Sequence, residues 1–216
     1  MDQITLNNNM IDGQIRPING ISKEVISAFS SVNRADFVPD NLILRSFTEK
    51  NLKLSSDRYF LRPNLIGEII NHVLPQSNET ILVLPAATGY LSAIISNLAE
   101  TVIAIEEEEN FISIAEKGMN KSGINNVVIL RKKINENCLD QGPFDAIIIE
   151  GAIDYLPDQF LEQLANKGRL FAMINEEDVT NATLFIKNEN SINSRFLFSC
   201  DAPKLNFFNK KNSFSF

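Results

Sequence analysis

From residue 80 onward the chain alternates short apolar runs with segments of helical spacing. "TILVLP" is apolar, "TGYLSAIISNLA" spaces its apolar residues three and four apart, "TVIAIE" is apolar again, and "ENFISIAEKGMNKSG" is amphipathic. "NVVIL", the β-branched "FDAIIIEGA", the helical "DQFLEQLANKG" and the apolar "RLFAMI" continue the series. Strands apolar on both faces and separated by amphipathic helices predict a mostly parallel sheet covered on both sides. Gly168 lies just past the helical spacing of "DQFLEQLANKG" and is expected to end that helix. After residue 178, "NATLFIKN" and "SRFLFSCDAP" read as antiparallel strands closing one edge. The fold class is therefore α/β, Rossmann-like, with antiparallel C-terminal edge strands.

The first 60 residues read differently, as helical and irregular. Ser22 is placed to cap a helix that turns Val25, Ile26, Phe29 and Val32 to one face. Pro39 forces Val38 out of helical geometry and breaks the pattern. Helical spacing resumes at Pro63, where a missing amide donor costs nothing, and Leu65, Ile66, Ile69, Ile70 and Val73 face one way. Residues 1–62 are expected to form a helical cover, and residues 63–216 the Rossmann-like domain, within one structural unit.

Composition narrows the function classes. Hydrophobic residues are 44% of the 216, enough for a full core. The formal charge is -7 with no basic face, which argues against a nucleic-acid partner. Arg131-Lys132-Lys133 is expected to be a solvated strand end. Cys138 and Cys200 have no short spacing and suggest a reducing compartment, not a disulfide framework. One histidine, His72, cannot assemble a zinc cluster, so no metal is expected, and its mid-helix position suggests a structural role. "MDQITLNNNM" lacks a signal-peptide pattern and no apolar run reaches the roughly 18 residues of a membrane span. The expectation is a cytoplasmic protein with no membrane partner.

Ligands of open α/β sheets sit beyond the carboxyl ends of the strands. "ILVLPAATGY" (81–90) is a strand–loop–helix at that edge, with Pro85, Ala86, Ala87, Gly89 and Tyr90 in the loop and the helix start. Small residues at alternate positions approximate G-x-G-x-G, the spacing of enzymes that use S-adenosylmethionine, not the pyrophosphate fingerprint. A cofactor without phosphates needs fewer amide donors, so Pro85 is less damaging there. Glu106 ends the next strand, about twenty residues on, where an acid can accept both hydroxyls of a ribose. Alternatively Glu106 only begins the acidic run "EEEEN" at a helix N-terminus. Glu150 ends the most β-branched strand and could contact a substrate or cap the following turn.

"DGQIRP" (12–17), "NRADFVP" (33–39), "ILVLPAATGY", "GPFDAIIIEGA" (142–152) and "LPDQFLEQLANKGRL" (156–170), in that order, resemble the protein-L-isoaspartate O-methyltransferase family over nearly the full chain. Arg58-Tyr59, Glu150-Gly151-Ala152 and Phe214-Ser215-Phe216 are similar to a divergent branch of it. The resemblance implies a methyltransferase fold with an N-terminal helical cover. It also implies methyl transfer from S-adenosylmethionine to isoaspartyl carboxylates of damaged proteins. The alternatives are a non-catalytic binding or scaffold protein that has lost the cofactor, or a methyltransferase with another acceptor. Where the family has a Gly-Gln-Thr-Ile-Ser loop, this chain has Asp57 to Leu61, so the family's serine falls at Leu61. The carboxylate before the glycine-rich loop falls at Val83, and the adenine-contacting acid near Lys133. Arg58 could pair with a carboxylate of cofactor or substrate, or form a surface ion pair. Tyr59 and Phe60 could meet the adenine or the sulfonium, or cap the core. The tail "NFFNKKNSFSF" reads as an edge strand, a packing tail or a partner-binding tail.

Overall fold

The computed structural model describes residues 2–135, 140–177, 179–189 and 191–208. Cys138 and the Phe214–Phe216 end lie outside the described residues. The N-terminal part holds α1 (Gln3–Met10), a π-helical turn over Ile11–Ile15, α2 (Lys23–Ser31) and two short 3-10 turns. Ser22 caps α2 as its sequence position predicts, its hydroxyl accepting from the Val25 amide at 3.2 Å. A two-stranded hairpin, β1 (Leu52–Lys53) with β2 (Tyr59–Phe60), follows, and α3 (Pro63–Val73) starts with its proline in the first turn.

Next come β3 (Thr80–Leu84), α4 (Tyr90–Ile95), β4 (Thr101–Glu106), α5 (Glu109–Lys121), β5 (Val127–Arg131), β6 (Phe144–Ile153), α6 (Asp158–Glu162), β7 (Leu164–Glu176), β8 (Val179–Asn188) and β9 (Ser191–Cys200). The main sheet runs β5-β4-β3-β6-β7-β8-β9. The pairs from β5 to β7 are parallel, and β8 and β9 add antiparallel at one edge. The main sheet starts mid-sheet at β3 and winds outward both ways, so the ligand edge of this topology is at the carboxyl ends of β3, β4 and β6.

Period two sorts the apolar side chains. Ile81 and Val83 join a core that includes Phe29, Leu61, Ile66 and Ile70 from the N-terminal helices and hairpin. Leu82 and Leu84 point into a second core with Phe160, Leu205 and Phe208. One expected element is much shorter than its spacing suggests. The helix "DQFLEQLANKG" covers only Asp158–Glu162, because Leu164 already pairs with Phe144 in the sheet. Gly168 therefore lies inside β7 and does not end a helix; the left-handed residue is Lys167, at φ 66. None of the described helices is long and apolar enough to cross a membrane.

Candidate active site

The loop after β3 starts with a cis Leu84–Pro85 peptide. The Ala86 amide donates to the Ile105 carbonyl at 2.7 Å, tying the loop to β4. Ala87 is left-handed at φ 45, a geometry that costs a residue with a Cβ roughly 1 kcal/mol. Gly89 is also left-handed, at φ 83, and an added Cβ there would lie 2.8 Å from the Ala115 Cβ of α5. This position therefore demands glycine both for conformation and for helix approach. Ala86, Ala87, Thr88 and Tyr90 are all buried.

Glu106 closes β4 and is 0% exposed. Its carboxylate is fully engaged by protein donors. Arg58 binds it with both prongs, Nε to Oε2 at 2.9 Å and Nη2 to Oε1 at 2.8 Å. The Ala87 amide donates to Oε2 at 2.9 Å, and the amides of Glu107 and Glu108 to Oε1 at 2.8 and 3.0 Å. Glu106 makes the helix-start contacts of its alternative reading. It stands at the ligand edge beside the loop, and it accepts the first amides leading into α5. Its partner Arg58, expected on the surface if it formed an ion pair, is only 1% exposed. The hairpin explains why. The Leu54 amide donates to the Arg58 carbonyl at 2.9 Å, and Arg58 shares the inward side of the hairpin with Phe60, two residues on. Burial favours the neutral guanidine, but Glu106 and then Asp57 outweigh it and raise the Arg58 pKa. Glu108 is raised by burial, with Glu106 and Asp57 adding and Arg58 opposing.

A second buried cation borders the site. Arg34 of "NRADFVP" is 0% exposed. Its Nε donates to the Ser46 carbonyl at 2.6 Å and its Nη2 to the Leu61 carbonyl. Its Cζ lies 3.9 Å from the Phe60 ring centroid and 4.6 Å from that of Tyr90. Burial pulls Arg34 down to about 10, against Tyr90 and Glu150, and pushes Tyr90 up to about 12, against Arg34. Phe60 therefore packs on Tyr90 and Arg34, the core-capping outcome, while Tyr59 is half-buried in β2. Leu61 and Val83 are wholly buried in apolar surroundings, and Lys133 is exposed past the end of β5. His72 is half-buried beside Glu68 and the Phe198 ring, away from the site.

Glu150 lies within β6, with Oε2 buried and without a hydrogen-bond partner. Burial raises its pKa well above 4.5, with Arg34 opposing and Glu106 adding. An acid raised on folding contributes stability below its ordinary pKa and loses it as pH rises through the folded value. Glu150→Gln is therefore expected to be about 1–3 kcal/mol more stable than the parent at pH 7 and equal to it below pH ~4. Urea melts at the two pH values check this; equal gains at both would contradict it.

Sequence reasoning missed two contributors: Arg34 as a buried cation, and the stretch after β9. Pro203–Phe208 crosses the ligand edge beside β6. The Ala152 amide donates to the Pro203 carbonyl at 2.9 Å, and the Leu205 amide to the Ala152 carbonyl at 2.7 Å. The Phe207 ring centroid lies 4.6 Å from the Arg58 Cζ. The aromatic richness of the tail was the available signal, and its Phe207 and Phe208 do pack inward.

A parallel sheet wound from its middle, a glycine-pivoted loop after its first strand and an acid ending the second define a Rossmann-like methyltransferase fold. The chain belongs to the protein-L-isoaspartate(D-aspartate) O-methyltransferase family, whose model matches residues 5–200. It is 26% identical over 187 residues to a protein-L-isoaspartate O-methyltransferase of Methanospirillum hungatei, covering 87% of each chain. It is 28% identical over 171 residues to one of a Jannaschia species, covering 79% of this chain and 77% of the relative. Among solved structures, a protein-L-isoaspartate O-methyltransferase superimposes with a TM-score of 0.79 at 19% identity, over 91% of this chain and 65% of that one. A Plasmodium falciparum protein of that description, in complex with S-adenosyl-L-homocysteine, gives 0.74 at 19% identity, over 95% and 98%.

The family uses S-adenosylmethionine, and the residues here meet that group only in part. The carboxylate at 106 lies beside the loop, where Oε2 accepts from the Ala87 amide. In the form described, however, Arg58 holds both its oxygens and the loop is covered by protein. The group fits only if Arg58 leaves.

Proposed function

We propose that this protein is a carboxyl methyltransferase acting on isoaspartyl residues of proteins, with S-adenosylmethionine as methyl donor. The observation that supports this most is the family match over residues 5–200 in a chain that keeps an acid at the end of β4. The donor, when bound, supplies an electrophilic methyl group. The accepting carboxylate is already an anion at neutral pH, so the chain need not provide a general base. That fits a crevice with no histidine beside it. What the protein must do is position the two partners and keep water out.

In this reading Glu106 is the ribose contact, and residues 85–90 form the floor under the adenosyl group. Arg58, released from Glu106, is the cation available to an incoming carboxylate. Tyr59 borders the entrance, and Phe60 supports the site from behind. A cytoplasmic setting goes with this reading, as two thiols without short spacing suit a reducing compartment. The charge of -7 gives no reason to invoke a nucleic-acid partner.

The test is methyl transfer from radiolabelled S-adenosylmethionine to an isoaspartyl peptide, read as base-labile methanol. Turnover is expected with the isoaspartyl peptide and not with its aspartyl twin, and Glu106→Ala should abolish it. No turnover, with no S-adenosylhomocysteine binding at millimolar ligand, would remove the proposal. Binding without turnover would point to another acceptor.

A further inference from the structure

The ligand edge is filled by two pieces of the chain itself. One is the Arg58 side chain, bidentate on Glu106. The other is the stretch from Pro203 to Phe208, which lies beyond the family match ending at residue 200. Its attachment is built, not incidental. Arg62 Nη1 donates to the Asp201 carbonyl at 2.7 Å just before it. Lys204 bridges in parallel to Ala152 and pairs with Asp154 at 2.8 Å. The Asp154 amide donates to the Phe208 carbonyl at 3.2 Å. Leu205 packs where Gly151, at φ 154, leaves room: a Cβ there would come within 2.5 Å of the leucine side chain. Phe207 lies on the guanidinium that lies on Glu106, so the three form one stack from the end of β4 outward.

We propose that Pro203–Phe208 is an autoinhibitory strap that holds Arg58 on Glu106 and keeps the adenosyl crevice shut. This rests on the reading of the crevice as a cofactor site. An adenosyl ribose and the Arg58 guanidinium compete for the same two carboxylate oxygens, so the ligand binds only the fraction of molecules in which Arg58 has withdrawn. Apparent affinity is reduced by that fraction. Phe207 favours the shut state through its contact with the cation, and the leucine anchor favours it by fixing the strap. Linkage then requires the converse: a ligand that displaces Arg58 must loosen the strap.

The experiment is calorimetric titration of S-adenosylhomocysteine into the full-length parent, Phe207→Ala and Leu205→Ala. Hydrogen exchange at the Leu205 and Asp154 amides is followed with and without ligand. Phe207 is only half-buried, so its variant is expected to fold even if the Leu205 change proves disruptive. Phe207→Ala should bind about 3- to 30-fold more tightly than the parent. In the parent, ligand should accelerate exchange at both amides. Equal affinities in parent and variants, with exchange unmoved by ligand, would overturn the strap and leave the cofactor reading standing. No binding by any of the three would overturn both.

Discussion

Arg58→Ala is expected to lower stability by about 3–5 kcal/mol, the usual cost of removing one partner of a buried ion pair. Glu106 is 0% exposed, and without the guanidinium its charge is held only by the amides of Ala87, Glu107 and Glu108. A chain of this size loses about 2–4 °C of melting temperature per kcal/mol, so the drop should be on the order of 10 °C. Glu106→Gln leaves the cation its longer pairs with Glu107 at 3.3 Å and Asp57 at 3.6 Å and should cost less. The double variant Arg58→Ala with Glu106→Gln leaves neither charge of the pair in the apolar surroundings. It should cost clearly less than the sum of the singles, a coupling that a double-mutant cycle measures. Additive losses would mean that the two groups are not coupled as the 2.8 and 2.9 Å contacts imply. The same cycle bears on function. Excess S-adenosylhomocysteine should stabilise Arg58→Ala more than the parent, because the ligand's hydroxyls replace the lost donors.

The parallel sheet was legible from the chain because its signal is local. Strands such as "TILVL" and "DAIII" are apolar at successive positions, which only a sheet covered on both faces can bury. Glu106 was legible because a strand end and a loop one crossover earlier fix its place. Arg58 as its partner was not, because the two are 48 residues apart and a guanidinium in a hairpin reads equally as a surface charge. The short α6 was misjudged for a similar reason. "LANKG" continues the helical spacing, but pairing of Leu164 with Phe144 across the sheet overrides local preference. The strap was least legible of all. Phe207 finds Arg58 through a contact spanning most of the chain, and its composition showed only that something aromatic must pack. What identifies the family is thus carried by short-range pattern, whereas what distinguishes this chain within it is carried by long-range contacts.

The second large effect is expected at Arg34, and it separates packing from hydrogen bonding. Arg34→Ala removes one of the largest wholly buried side chains and leaves the carbonyls of Ser46 and Leu61 without their donor. A cavity plus two orphaned acceptors puts the cost at about 3–5 kcal/mol. Arg34→Met refills most of the volume and removes a cation whose burial is itself unfavourable, as its pKa of about 10 records. That variant should cost less, about 1–3 kcal/mol, the remainder being the two carbonyls and the contacts with the Phe60 and Tyr90 rings. Arg34→Lys keeps the charge but cannot span both carbonyls while lying flat on the rings, so it should not recover the parent. Chemical melts of the three variants give the order directly. If Lys restored full stability, charge alone would matter at this position and the planar fork would not. If Met and Ala were equal, volume would be irrelevant and the cost would lie in the hydrogen bonds. The consequence for the crevice follows from Leu61, whose carbonyl Arg34 holds two residues from the α3 N-terminus and three from Arg58. Loosening that anchor frees the end of the hairpin that carries Arg58, so Arg34→Met should also speed exchange at the Leu54 amide, which donates to the Arg58 carbonyl.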